Sequence, residues 1–299
     1  MLMKVLVIGR SGQLATSLLS AAKPQGIQLL AASRPQLDIT SPASVRNTLE
    51  DVRPALVINA AAYTAVDKAE EERDMAFAVN AEGPAHLASE CRRLDIPLIH
   101  VSTDYVFDGR KQAPYTEDDA PAPLNVYGQS KLAGEEAVRQ VWAKHIILRT
   151  SWVFSPFGHN FARTMLRLAQ AHGTLNIVAD QHGSPTYAPH LAGAILRLVS
   201  KLQSGQDSLP WGIFHLCGSG ETTWHGFARE IFSCSARLGG PTAEVQAIST
   251  AEYPTPARRP ANSRLSCAKL EQSFGIRLPR WQEGVALCVE KILERRKKA

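Results

Sequence analysis

The first half of the chain repeats one pattern. A short apolar run is followed by a small or polar turn, then by a longer stretch with apolar residues at helical spacing. The runs are Lys4–Ile8 (KVLVI), Ile27–Ala32, Leu56–Ala60, Pro97–Val101 continuing to Thr103, and Ile146–Arg149. Runs this short, without polar alternates, predict strands buried on both faces. Helices are expected from Gln13, over Ala43–Val52 behind a Ser41–Pro42 cap, over Asp67–Leu94 with an irregularity at Gly83–Pro84, and over Tyr127–Val141. Regular strand–helix alternation predicts an α/β fold around a doubly wound parallel sheet.

After Thr150 the pattern loosens. Helices are expected near Asn160–Ala171 and Pro189–Leu202, strands at Leu175–Val178 and Gly212–Leu216, and a helix entry at Thr222-Thr223-Trp224-His225. No flexible linker divides the halves. The expected organisation is a nucleotide-binding domain over 1–151, its sheet completed by a segment near 175–216, and a smaller, mainly C-terminal substrate-binding domain over 152–299, assembled from interleaved segments.

Composition narrows the class. The chain has 299 residues, 44% hydrophobic and 20% charged, which suits a soluble globular protein. Its net charge of +5 includes a terminal cluster, Arg295–Lys298, that reads as a solvated helix end. No basic stripe is interleaved with aromatics, so no nucleic-acid partner is expected. No apolar run reaches a membrane span and the chain opens on a strand rather than a leader, so no membrane partner and a cytoplasmic location are expected. Five scattered cysteines without a C-x-x-C suggest neither a zinc site nor a disulfide framework.

Candidate chemistry gathers where strands end. The first run leads into Gly9-Arg10-Ser11-Gly12-Gln13-Leu14-Ala15, a glycine turn opening a helix, which is an anion site suited to a dinucleotide pyrophosphate. The second run ends in Ser33-Arg34, where a dinucleotide fold reads the adenosine ribose. A cation here favours a 2′-phosphate, so NADPH is expected with NADH still usable, unless Arg34 is a plain surface residue. Asp38-Ile39 would lie along the adenine. Ala61-Ala62-Tyr63-Thr64 leaves room for a cofactor at the carboxyl edge of the sheet. Tyr127 and Lys131 stand one helical turn apart, so a phenol with an ordinary pKa of about 10 has an ammonium nearby that would lower it. Thr103 could hold a substrate oxygen against that phenol. Y-x-x-x-K also occurs by chance on helices, and its weight here comes from the strand and glycine turn before it. Near the C-terminus, Tyr253–Leu265 is extended by its prolines. It carries Arg258, Arg259 and Arg264, either a diphosphate clamp or loop arginines paired with surface acids.

Together these residues resemble the extended short-chain dehydrogenase/reductase family. The likeness rests on Gly9–Ala15, Asn59–Glu70 (NAAAYTAVDKAE), Ser102–Phe107 (STDYVF), Asn125–Glu135 (NVYGQSKLAGE), Arg149–Val153 (RTSWV), Asp180–Thr186 (DQHGSPT) and Tyr253–Leu265. It implies a Rossmann-type fold and reduction of a dTDP-linked 4-keto-6-deoxy sugar by a monomer or homodimer. Tyr127 would donate the proton, Lys131 would lower its pKa and hold the nicotinamide ribose, and Thr103 would orient the carbonyl. Gly12, Gln13, Leu14, Asp38, Ile39, Ala62, Tyr63 and Thr64 would touch the cofactor, and Asp104 and Trp152 the sugar nucleotide. Two departures stand out. Ala15 replaces a third glycine, and Gln13–Ser20 holds no acid of the kind some relatives use for a bridging metal, so no metal is expected. Tyr105 occupies the place of the glutamate that dehydratases of this family use for elimination, so dehydratase activity is not expected. A dehydratase or epimerase on the same fold, and a non-catalytic NADP-binding regulatory subunit, remain the competing readings.

Overall fold

The computed structural model describes residues 4–22, 27–203 and 210–297. The expected alternation is realised as β1 (Lys4–Ile8), α1 (Gln13–Ala22), β2 (Gln28–Ala32), α2 (Pro42–Val52), β3 (Leu56–Asn59), α3 (Arg73–Phe77), α4 (Gly83–Arg93), β4 (Leu98–Thr103), α5 (Val126–Val141) and β5 (His145–Thr150). The second half supplies β6 (Val153–Phe154), α6 (Phe161–Leu168), β7 (Thr174–Val178), β8 (His182–Gly183), β9 (Thr186–Tyr187), α7 (Ala188–Gln203), β10 (Gly212–His215), β11 (Thr222–Thr223), α8 (Trp224–Arg237), β12 (Glu244–Ile248), α9 (Ala268–Phe274) and α10 (Trp281–Lys297).

Six strands form one parallel sheet in the order β10-β5-β4-β3-β1-β2. Alternate residues of β1 explain why it must be covered twice. Val5 and Val7 pack with Leu14, Leu18, Leu191 and Ile195 of α1 and α7. Leu6 and Ile8 pack with Val45, Leu49, Leu87 and Val138 of α2, α4 and α5. The chain leaves β1 toward β2, then crosses back to β3 on the other side. The crevice between the carboxyl ends of β1 and β3 is therefore the switch point, where such sheets bind ligands. Ala15 is buried on α1 facing this sheet.

Two expectations need correcting. Leu175–Val178 does form a strand, but it does not complete the main sheet. As β7 it pairs with β12 in a separate two-stranded sheet, and only β10 of that region joins β5. Leu175 and Ile177 of β7 pack against the second core around α8, which draws the strand away from the main sheet. The stretch Asp67–Leu94 is likewise no single helix. It runs as a 3₁₀ turn (Lys68–Glu70), α3, a wide π-type turn (Ala78–Glu82) and α4. Pro84 sits in the first turn of α4, where its missing N–H is harmless, so the irregularity precedes it.

A second core holds the remaining elements together: Phe154, Met165, Phe227, Ile231, Trp281 and Val285 pack from β6, α6, α8 and α10. All five cysteines are free. Among the described residues no helix is long and apolar enough to cross a membrane. Within the basic terminal cluster, Lys298 lies outside the described residues.

Candidate functional site

A cleft of about 550 Å³ opens at the switch point. Its floor is the turn after β1 and the start of α1, contributing Ser11, Gly12, Gln13 and Leu14. A Cβ at Gly12 would meet nothing within 4 Å, so the backbone there is open to a ligand. The first-turn N–H groups of a ten-residue helix lack intrahelical acceptors and favour an anion. These residues fit a dinucleotide pyrophosphate. Gly9 sits behind, with φ 109°, a conformation that favours glycine.

The opposite wall carries Thr103, Asp104, Tyr127, Lys131 and Trp152, with Ala62 and Thr64 between. Local sequence explains how Tyr127 arrives there. Asn125 caps α5 by accepting from the Gly128 N–H at 2.8 Å, and Glu70 accepts from the Val126 N–H at 2.9 Å. Gly128 lets the helix approach the Tyr105 carbonyl so closely that a Cβ would lie 2.2 Å from its oxygen. Tyr127 lies beside Thr103 on this wall and meets the Tyr105 ring edge-on at 5.8 Å.

Burial pushes the Tyr127 phenol up to about 12, and its contact with Thr103 only partly opposes this. The Lys131 ammonium is wholly buried and donates to the Val101 carbonyl at 2.7 Å rather than to the phenol. Burial lowers its own pKa to about 8. Asp104 is also buried, which raises its carboxyl to about 7. Thr103 donates to its Oδ1 at 3.0 Å, while Oδ2 has no hydrogen-bond partner.

Other candidates stand outside this wall. Ser33 and exposed Arg34 follow β2, beside the glycine turn, because the Gly9 N–H donates to the Ala32 carbonyl at 2.8 Å. Asp38 accepts from Thr40 through both side chain and backbone, which holds its carboxyl below the usual range. The Ile39 side chain is core, wedged against Gly83. Tyr63 donates its hydroxyl to Glu72 at 2.6 Å, which pushes the phenol up to about 12, and its backbone is clasped by Asn80.

The three arginines separate. Arg258 is exposed on a groove formed by the Tyr253–Ala261 segment. Arg259 makes a forked pair with Asp67, at 3.0 and 2.8 Å, and faces both that groove and a second pocket of about 390 Å³. Arg264 spends its guanidinium on Glu221, Asn262 and the Gln112 carbonyl, away from either pocket.

That second pocket was not legible in the sequence. Phe161, Met165, Leu168, Leu175, Ile177 and Trp224 line it, with Asn176, Gln181 and Arg259 as its polar groups. Trp224 stacks on Trp152 with ring centroids 3.6 Å apart, so the two indoles form the partition between the pockets. Trp152 adopts φ 46°, and a Cβ on Gly183 would lie 2.3 Å from its ring. His159 joins the main cleft as well. The DQHGSPT run, which contains Gln181 and Gly183, was the available signal for this region.

The sequence matches the family model described as the RmlD substrate binding domain over residues 3–294. It is 48% identical to a dTDP-4-dehydrorhamnose reductase of Sinorhizobium fredii, over 97% of this chain and 98% of that protein. A dTDP-4-dehydrorhamnose reductase of Escherichia coli is 43% identical, over 95% and 96% of the two chains. The crystal structure of dTDP-4-dehydrorhamnose reductase from Bacillus anthracis in complex with NADP superposes with a TM-score of 0.90 at 35% identity, covering 97% of this chain and all of that one.

Proposed function

The chain belongs to the RmlD substrate binding domain family, and from that membership we propose that it reduces the C4 ketone of dTDP-4-dehydro-L-rhamnose to dTDP-L-rhamnose with NADPH. The observation that carries the reading is the convergence of Tyr127, Thr103 and Lys131 on a cleft that also contains the open first turn of α1. When bound, the reduced nicotinamide supplies the hydride. The chain's residues do the rest.

Thr103 and Tyr127 hold the ketone oxygen between two hydroxyls. A phenol with its pKa raised to about 12 stays protonated at neutral pH, so it enters the reaction as a donor. The alkoxide that forms is a far stronger base and takes the phenolic proton. Lys131, fixed one turn behind, supplies the charge that steadies the resulting phenolate. Asp104, with Oδ2 unpartnered at the cleft wall, is placed to meet a sugar hydroxyl. The apolar pocket beyond the Trp152–Trp224 partition suits a nucleotide base, with Asn176 and Gln181 as its polar contacts and Arg259 on the diphosphate side. The 152–299 segment then provides most of the sugar-nucleotide contacts and 1–151 most of the cofactor contacts. Tyr105 is a phenol whose burial raises its pKa further, so it cannot act as the carboxylate an elimination would need.

The test is absorbance loss of NADPH with dTDP-4-dehydro-L-rhamnose. Tyr127→Phe should lose about 10²–10⁴-fold in kcat while NADPH affinity stays nearly unchanged. A wild-type protein that binds NADPH but never oxidises it with this or another 4-keto sugar nucleotide would be a regulatory subunit instead.

A further inference from the structure

Beneath the cleft lies a buried titratable group that the reaction above does not use. His100 is wholly buried on β4, between Asn59 of β3 and Lys131 of α5. Its protonation can be deduced stepwise from one unambiguous donor. The Ala61 backbone N–H can only donate, and it meets Asn59 Oδ1 at 3.1 Å. That contact orients the Asn59 amide, so its NH₂ points at His100 Nδ1, 3.0 Å away. Nδ1 must then accept. Burial keeps the imidazole neutral, with the Lys131 and His145 charges adding to the effect, so the single ring proton resides on Nε2. Nε2 lies 3.5 Å from Lys131 Nζ. An N–H dipole therefore confronts the ammonium, where a lone pair would have welcomed it.

We propose that Asn59 locks His100 as its Nε2–H tautomer, and that this N–H weakens the hold of Lys131 on its proton, making His100 a positioning residue for the lysine. The inference rests on the reductase reading for its consequence, though not for its geometry. A buried lysine opposed by a donor is a better acid than a lysine facing an acceptor, and an acid near neutral pKa is best matched to exchanging a proton in each turnover. After Tyr127 has given up its proton, the phenolate is the stronger base and Lys131 the poised donor behind it. The other groups around Lys131 do not cancel the effect. Glu135, one turn along α5, is the nearest anion. Its carboxylate is forked onto Arg149 of β5 and accepts from Ser102 of β4. Tyr127 and Thr103 face Lys131 from the cleft side as neutral groups, and Asp104, with its carboxyl raised to about 7, carries only part of a charge near pH 7. His145 of β5 bears on His100 rather than on the lysine. The same chain of bonds ties the Ala61 backbone, at the start of the cofactor-facing loop, to the lysine.

The tautomer can be read directly in the full-length protein, with and without NADPH, by ¹⁵N NMR of the histidine rings. The proposal requires a bare Nδ1 and a protonated Nε2 at His100. Asn59→Asp reverses the first bond, because a carboxylate demands Nδ1–H. It should flip the tautomer, present a lone pair to Lys131 and move the alkaline limb of kcat/KM upward by about one pH unit. His100→Gln keeps an acceptor toward Asn59 and a donor toward Lys131, so the limb should stay in place whatever happens to kcat. The carboxylate's own charge also acts on Lys131, so the Asn59→Asp/His100→Gln double variant is the control: a merely structural histidine would leave its limb where Asn59→Asp alone puts it, whereas the tautomer effect predicts a higher limb in Asn59→Asp. An Nδ1–H tautomer in the wild type overturns the proposal, as does an unmoved limb in an Asn59→Asp protein whose tautomer has flipped. Should Asn59→Asp fail to fold, the wild-type tautomer still decides. Absence of any NADPH oxidation by the wild type would strike the reductase reading alone.

Discussion

At the scale of single residues, environment sets chemistry that residue type leaves open. Arg34 is exposed beyond β2, beside the glycine turn, with no acid before Asp38. Solvent screening keeps its effect modest, so NADPH should be preferred over NADH by about tenfold in kcat/KM. Arg34→Ala should erase most of that gap by weakening NADPH alone. Kinetics with both cofactors in both proteins check it, and an unchanged ratio would mean that Arg34 points away from the adenosine. Asp104 makes a prediction about pH. Burial raises its folded pKa to about 7 from an ordinary 3.8. The folded protein therefore holds a proton that the unfolded chain releases. Stability from this group is fully present below about pH 4 and is lost as pH rises through about 7. Asp104→Asn cannot ionise, so its stability relative to wild type should grow between pH 5 and pH 8, by up to about 2.5 kcal/mol. Urea melts at both pH values measure the difference, and a constant difference would show that Asp104 is ionised throughout.

At the scale of elements, α5 is placed by contacts that a helical pattern does not reveal. Its cap was visible as Asn125 before an apolar period, and Tyr127 and Lys131 were visible as one face. The two glycines that set its depth were not. Gly134 packs so tightly on the wide turn after α3 that a Cβ would lie 2.0 Å from the Asn80 carbonyl oxygen. Mid-helix Gly→Ala ordinarily stabilises by about 0.5–1 kcal/mol. Overpacking against backbone costs about 1–3 kcal/mol or more, and here it should win. Gly134→Ala should lower the melting temperature and, by tilting Tyr127 and Lys131 together, reduce kcat. Thermal melts and kcat on one preparation test both. A more stable, fully active variant would mean that α5 can shift without consequence. The same turn shows why Asn80 escaped assignment. A polar residue in a helical stretch has no direction until the chain folds, and here it clasps both backbone groups of Tyr63 and bonds to Ser130.

At the scale of the molecule, several side chains join the halves, and two of them bear on the pockets. Gln13, at the first turn of α1, accepts from Ser155 at 2.8 Å and Asn160 at 2.9 Å, and its amide reaches the Val153 carbonyl. Asn160 in turn caps α6, which walls the second pocket. The side chain expected to touch cofactor is thus spent on linking the two pockets, which leaves its backbone for the ligand. Arg259 is another link, reaching from the C-terminal segment to Asp67. A lysine keeps the charge but loses the fork. Arg259→Lys should raise KM for the sugar nucleotide about tenfold or more, the loss of roughly 1.5–3 kcal/mol of charged hydrogen bonding, with NADPH affinity unchanged. Equal loss of both would assign Arg259 to the fold rather than to the substrate.

The sequence by itself determined the six strands of the main sheet, the alternation of the first five with helices, and the candidates Tyr127, Lys131, Thr103 and the glycine turn. These are local properties: apolar runs need burial, a glycine turn opens a helix, and four residues make one turn. Only the tertiary structure decided that β7 pairs with β12, that Trp152 and Trp224 divide two pockets, and that Arg264 is a strut while Arg259 faces both the groove and the second pocket. It alone turned Lys131 onto the Val101 carbonyl and set His100 behind it. Partners in those contacts lie far apart in the chain, and a side chain's direction and solvation, hence its pKa, are settled only when both partners are buried together.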